Sequence, residues 1–152
     1  MPDTFPPAIR SKIMRAVPRQ CTHDEILLYR ALRSKGIQVS RRKNGLPGTP
    51  DLLLVSRKTA IFVDGDFWHG RPWFEDGFAP VNNRAFWIEK FEGNRKRDRR
   101  VDRTLRRLGW NVIRIWSSSI RKSPEAVVSV VLSGLKRRAV LSRNRSARRS
   151  SC

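Results

Sequence analysis

Apolar residues recur along this chain in blocks whose spacing switches between helical and extended. Leu28, Tyr29 and Leu32 share one face of a helix that opens at Thr22, with Arg30, Arg33 and Ser34 opposite. Thr22 and Glu25 have the spacing of a capping box, and Gly36 ends the helix. A short strand follows over Ile37–Arg41, then a loop carrying Asn44, Gly45, Pro47, Gly48 and Pro50. Asp51–Ser56 and Thr59–Asp64 are apolar runs separated by Arg57 and Lys58, the mark of a hairpin. Gly65–Asn83 reads as a loop rich in Trp, Phe, Gly and Pro. A long helix runs from Arg84 to Leu108 and stops at Gly109, and Trp110–Trp116 reads as a buried strand. Ser123-Pro124-Glu125 starts a last helix, with a capping serine, proline at the first position and early negative charge.

The order α-β-β-β-α-β-α describes one mixed α/β domain. A basic arm precedes it over residues 1–20, the domain spans 21–136, and residues 137–152 form a polycationic tail that reads as disordered.

Charge changes the picture most. The 33 Lys plus Arg face 13 Asp plus Glu, a net of +20 in 152 residues. Such self-repulsion points to a polyanionic partner without naming an activity. The longest apolar run, Ala126–Leu132, is far short of the roughly 20 residues of a membrane span. The opening residues lack the apolar segment of a signal peptide, and Cys21 and Cys152 suggest neither a disulfide framework nor a cysteine zinc site. The expected setting is a reducing bacterial cytoplasm, at the nucleoid.

Pairing the hairpin about Arg57 and Lys58 sets Asp51 opposite Asp64, with both carboxylates on one face. Close carboxylates repel unless a cation lies between them, and an all-oxygen site with waters suits Mg²⁺. The competing reading has each aspartate capping a turn beside Pro50 or Gly65. His69, one of two histidines, lies just past Asp64 and can take a proton from an attacking water near neutral pH. Glu25 serves either as a capping residue or, pointing inward with Leu28, as a group that orients His69 or a metal-bound water.

The stripe of the long helix follows Trp87, Phe91, Asn94, Asp98, Val101, Leu105 and Leu108. Asn94 and Asp98 stand where a core helix wants apolar groups, so something polar should meet them. Lys90 and Arg97 flank this stretch within reach of phosphate, and Arg15 and Arg19 of the arm are further candidate DNA contacts. Phe67, Trp68, Trp73, Phe74 and Phe78 crowd one loop, either packed on each other or free to intercalate between bases.

Arg10-Ser11 with Met14-Arg15, Leu46–Asp51, Ile61–Gly65 with Phe67-Trp68-His69, Phe86-Trp87 with Lys90, Asn94 and Arg97-Asp98, and Gly109-Trp110 with Trp116 resemble the very-short-patch-repair endonucleases. The resemblance spans residues 9–118 and implies a restriction-endonuclease-like fold, a central mixed β-sheet flanked by α-helices. It implies a Mg²⁺-dependent enzyme that nicks one strand of duplex DNA beside a T:G mismatch left by deamination of methylated cytosine. It places Asp51 and the Val63 carbonyl at the metal, His69 as the base and Glu25 in support. Phe67, Trp68 and Trp87 become an intercalating wedge, and Met14, Lys90 and Asn94 lie where the target is read.

Two departures stand out. The family often carries histidine where this chain has Asp64, which makes Asp64 a further metal ligand. Relatives hold a structural zinc around the Phe-Trp-His loop, where this chain has Asp66, Arg71, Trp73 and Ser117, so no zinc is expected and packing must hold the loop. The expected protein is a monomeric DNA-nicking endonuclease acting on mismatched duplex, with recruitment of other repair proteins left open. The alternatives are a nuclease of the same fold with another target, as in phage defence, and a DNA-binding protein that has lost cleavage.

Overall fold

A computed structural model describes residues 23–41 and 45–149, with side chains as far as Lys136. The predicted arm, including Met14, Arg15 and Arg19, lies outside the described residues, as does the capping Thr22. Helix α1 (His23–Ser34) turns Leu28 and Leu32 inward. It stops at Gly36, whose positive φ of 77° lets its N–H return to the Arg33 carbonyl at 3.0 Å.

Strand β1 is only Ser40–Arg41, shorter than expected. It pairs antiparallel with β2 (Leu52–Leu54), which pairs antiparallel with β3 (Thr59–Asp64). Strand β3 runs parallel to β4 (Asn111–Trp116), completing a mixed sheet in the order β1-β2-β3-β4. Parallel neighbours need a long crossover. It is made by a short helix, α2 (Arg71–Asp76), and a long one, α3 (Arg84–Arg107). The sequence reads the α2 segment as loop, because a helix this short shows no periodicity. Pro72 in its first turn and Gly77 at its end mark it instead.

The hairpin register corrects the expected one. Leu52 faces Ile61 and Leu54 faces Thr59. Extending that ladder by one pair sets Asp51 opposite Phe62 rather than Asp64. The connection is the cause: Val55–Arg57 coil into a 3₁₀ turn closed by Lys58 at φ 45°, which takes Val55 and Ser56 out of the strand. A shift by an even number of residues keeps every side chain on its face. Asp51 and Asp64 therefore still project to the same side of the sheet.

Beyond β4 come α4 (Ser117–Lys122), too polar to be legible in the sequence, and α5 (Pro124–Arg149). Ser123 starts α5 as expected, its Oγ accepting the Ala126 N–H at 3.2 Å. The α5 backbone continues helical to Arg149, where the sequence predicts disorder beyond residue 136. That stretch has no Gly or Pro and is dominated by Arg, which favours helix. No described helix is long and apolar enough to cross a membrane.

Alternation along the strands sends their side chains to two cores. Leu52, Leu54, Ile61 and Ile115 pack with Leu28 and Leu32 of α1 and Val127, Val128 and Val131 of α5. Leu53, Ala60 and Phe62 face the other way, onto Leu105 and Val101 of α3. Asp51, Asp64 and Arg114 share the parity of this second set, so all three aim at the α3 side. That parity positions the site.

Candidate active site

After β3 the chain folds back at once. The His69 N–H meets the Gly65 carbonyl at 3.1 Å and the Arg71 N–H meets that of Asp66 at 2.9 Å. Gly70 makes the return possible: its φ is +68°, and a Cβ there would lie 2.7 Å from Phe91 Cβ on α3. Gly70→Ala should cost about 1–2 kcal/mol in backbone strain and about 1–3 kcal/mol more in overpacking. Urea denaturation checks this; an unchanged midpoint would mean the loop is not pressed against α3.

This return delivers His69 to the middle of α3. Its Nδ1 lies 2.7 Å from Asp98 Oδ2, and its Nε2 lies 3.7 Å from Asp64 Oδ1. A carboxylate only accepts, so Nδ1 carries the proton and donates, leaving the Nε2 lone pair as the base. Burial works against a charged imidazole, but the Asp98 hydrogen bond and the charges of Asp64 and Asp98 outweigh it and raise the His69 pKa above its ordinary 6.5. Burial also resists the Asp98 charge, yet the His69 bond and Arg114 hold its carboxyl below the usual 3.8. Asp64 goes the other way, raised by burial against the pull of His69 and Arg114.

Arg114, on β4 beside Phe62, binds this acidic group together. Its Nη1 donates to both Asp64 oxygens at 3.1 and 3.2 Å, and its Nε to both Asp102 oxygens at 3.0 and 3.2 Å. The guanidinium also lies over the Phe62 ring, 4.3 Å from its centroid. Residue types flagged Asp98 as needing a polar partner; nothing local in the sequence paired it with His69, or Asp64 and Asp102 with Arg114.

Asp51 stands at the open end of β2. Its N–H donates to the Ile61 carbonyl at 3.0 Å, and its Oδ2 accepts the Val63 N–H at 2.8 Å, taking over from the backbone where the ladder ends. In an extended strand a residue's N–H and C=O leave from the same edge, so the Val63 carbonyl shares the Asp51 edge of β3. A carboxylate and a carbonyl on one edge are hard oxygen donors of the kind that suits a divalent cation such as Mg²⁺, and Asp64 projects to the same side of the sheet.

The remaining candidates separate by position. Glu25 is buried on α1, whose Leu28 and Leu32 pack on the other face of the sheet, and Asp98 is bonded to His69 Nδ1. Asn94 donates to the Trp68 carbonyl at 2.7 Å, which answers its polar place in the stripe and pins the loop. Lys90 is half-buried and Arg97 exposed on α3.

The aromatic loop packs largely on itself. Phe67 meets Trp68, Trp87 and Phe91 at 5.2, 5.1 and 5.7 Å in edge contacts, while Trp87 stacks on Phe91 at 5.9 Å. Trp87 is 3% exposed, so its ring reaches a base only if the cluster opens; Phe67, at 39%, already presents surface. Trp87→Ala should therefore lose about 3–5 kcal/mol of folding stability, whereas Phe67→Ala should lose less. Thermal unfolding of the two variants checks this, and equal losses would contradict it.

Asp66 ties the loop to α4. Its carboxylate accepts the Ser118 N–H at 3.0 Å, the Ser118 hydroxyl, and Arg71 at 3.1 Å. Arg71 also lies over the Trp116 ring, 5.3 Å from its centroid. Ion pairing thus joins Trp73 and Phe74 packing in fixing the segment that carries His69.

Comparison with known proteins shows the family. The family model described as DNA mismatch endonuclease Vsr matches residues 2–75. The Type II nicking enzyme V.HpaIIP of Haemophilus parainfluenzae is 37% identical over 81% of this chain and 88% of its own length. The Type II nicking enzyme V.NmeDIP of Neisseria meningitidis serogroup C is 33% identical over 93% of this chain and 95% of its own. The DNA mismatch endonuclease Vsr of Escherichia coli K12 is 35% identical over 80% and 77%. The chain belongs to the Vsr family. As a Vsr-family protein it is a DNA endonuclease with the restriction-endonuclease-like fold that its sequence implies. The Vsr match holds Glu25, Asp51, Val63, Asp64 and His69, while Asp98 and Arg114 lie beyond it.

Proposed function

We propose that this endonuclease nicks one strand of duplex DNA beside a T:G mismatch, using Mg²⁺ and His69. The hydrogen bond from His69 Nδ1 to Asp98 carries the reading, because it leaves Nε2 as a base facing the Asp64 carboxylate. Asp51 and the Val63 carbonyl would hold the cation, and Asp64, with about four lone-pair sites, can contribute while keeping Arg114. A bound Mg²⁺ supplies charge for the phosphodiester oxygens and acidifies the attacking water. His69 Nε2 takes the proton of that water, and Asp98 steadies the imidazolium that results. Glu25 supports the site from α1. Phe67 and Trp68, with Trp87 behind them, meet the base stack, which opens most cheaply at a mismatch. Met14 and Asn94 are proposed to read the target, and Arg15, Arg19, Lys90 and Arg97 to add positive charge for phosphate.

Single-turnover cleavage of two duplexes that differ only in T:G against C:G tests the target. Strong preference for T:G is expected. Equal cleavage would favour a second reading, a nicking nuclease with another target, which the nicking-enzyme names of several relatives support. The basic C-terminal residues are proposed to hold phosphate without reading bases. Deleting residues 138–152 should then weaken binding to all duplexes alike and flatten the salt dependence. A salt slope unchanged by the deletion would show that this segment faces away from DNA.

A further inference from the structure

One oxygen each from Asp64 and Asp98 and one nitrogen of His69 lie within 4.8 Å of one another, a spacing able to hold a metal ion. A guanidinium occupies that neighbourhood instead. Arg114 Nη1 bridges both Asp64 oxygens at 3.1 and 3.2 Å, while Nη2 lies 3.4 Å from the Asp98 carbonyl and 3.7 Å from Asp98 Oδ1. Asp102 anchors the group from α3, its Oδ1 accepting from Nη2 at 2.8 Å. The planar fork is fixed by these bonds and by the Phe62 ring, and an arginine cannot give up its charge at neutral pH.

We infer that Arg114 is a resident cation that keeps a further metal ion out of the space between Asp64, His69 and Asp98 and confines the divalent ion to the Asp51–Val63 side, where Asp64 can meet it only through lone pairs that Arg114 leaves open. A metal ion and a guanidinium competing for the same two carboxylates repel each other, more strongly in a half-buried site than in water. The competitor most strongly excluded is a transition metal. One imidazole with two carboxylates suits Mn²⁺, Co²⁺ or Zn²⁺ better than Mg²⁺. An ion bound through Nε2 would take the lone pair that the proposed mechanism needs as a base, so exclusion protects the chemistry as well as the ion count. The placement of the working ion rests on the function proposed above; the blocked cluster rests on the distances alone.

The test counts metal. Mn²⁺ binding by calorimetry and Co²⁺ visible absorption are compared between the parent and Arg114→Ala, with circular dichroism confirming the fold. Arg114→Ala should bind one more ion per chain than the parent and gain a Co²⁺ band from a nitrogen ligand. Adding His69→Ala to that variant should remove the gained ion and band. Arg114→Lys, which keeps the charge, should gain nothing. If Arg114→Ala does not fold with Asp102 left unpaired, Arg114→Ala with Asp102→Asn relieves that charge and carries the same expectation. No added ion in a folded variant, or a parent whose ion count already falls on His69→Ala, would overturn the inference. Nicking by the parent in Mg²⁺ reads out the proposed function separately, so failure of one is not failure of the other.

Discussion

Asp51→Ala is expected to abolish nicking while leaving DNA affinity intact or higher. Asp51 is the side chain at the end of β2 that shares an edge of β3 with the Val63 carbonyl, and it accepts the Val63 N–H at 2.8 Å. Without it the donor set for Mg²⁺ loses its one carboxylate on that edge. Charge stabilisation by a catalytic cation is worth several kcal/mol, and each 1.36 kcal/mol is tenfold, so a loss of about a thousandfold or more follows. Binding should not suffer, because a carboxylate near the scissile phosphate repels it. Asp51→Asn keeps an oxygen for the Val63 N–H and should preserve the fold while remaining nearly inactive. Mg²⁺-dependent nicking by a folded Asp51→Ala protein would remove Asp51 from the metal site.

His69→Ala should slow single-turnover cleavage by about 10²–10⁴-fold, the usual range for a lost general base. The pH profile separates this from a structural effect. The base is the unprotonated imidazole, and Asp98 and Asp64 raise the His69 pKa above 6.5. The rate should thus rise with pH through an inflection above the ordinary imidazole value. Asp98→Asn removes the negative charge that helps raise this pKa, so its inflection should move to lower pH. Its maximal rate should also fall, because a neutral amide no longer stabilises the imidazolium that forms when His69 takes the proton. A profile flat across this range in the parent would show that His69 is not the base.

The sequence made the reagents legible but not their wiring. Asp51 and His69 stand out because few other groups can do their chemistry in a chain this basic. Asn94 and Asp98 stand out because they interrupt an apolar stripe, and the structure gives each the polar partner that burial demands. Arg114 was illegible: between Ile113 and Ile115 it looks like the polar side of an alternating strand, and its partners come from β3 and α3. The hairpin register depended on a 3₁₀ turn that Val55-Ser56-Arg57 does not announce. The face of Asp51 is nevertheless legible, because the two registers differ by an even number of residues. The division of the aromatics between packing and surface was likewise open until the return at Gly70 set Trp87 inside and Phe67 at the edge.

The most direct test of the account is a nicking assay on a duplex holding one T:G pair, with either strand end-labelled, in Mg²⁺ and in EDTA. A single cut in one strand is expected in Mg²⁺, none in EDTA, and a large loss of rate for His69→Ala. Cleavage that persists in EDTA, or that proceeds at the parent rate without His69, would contradict it.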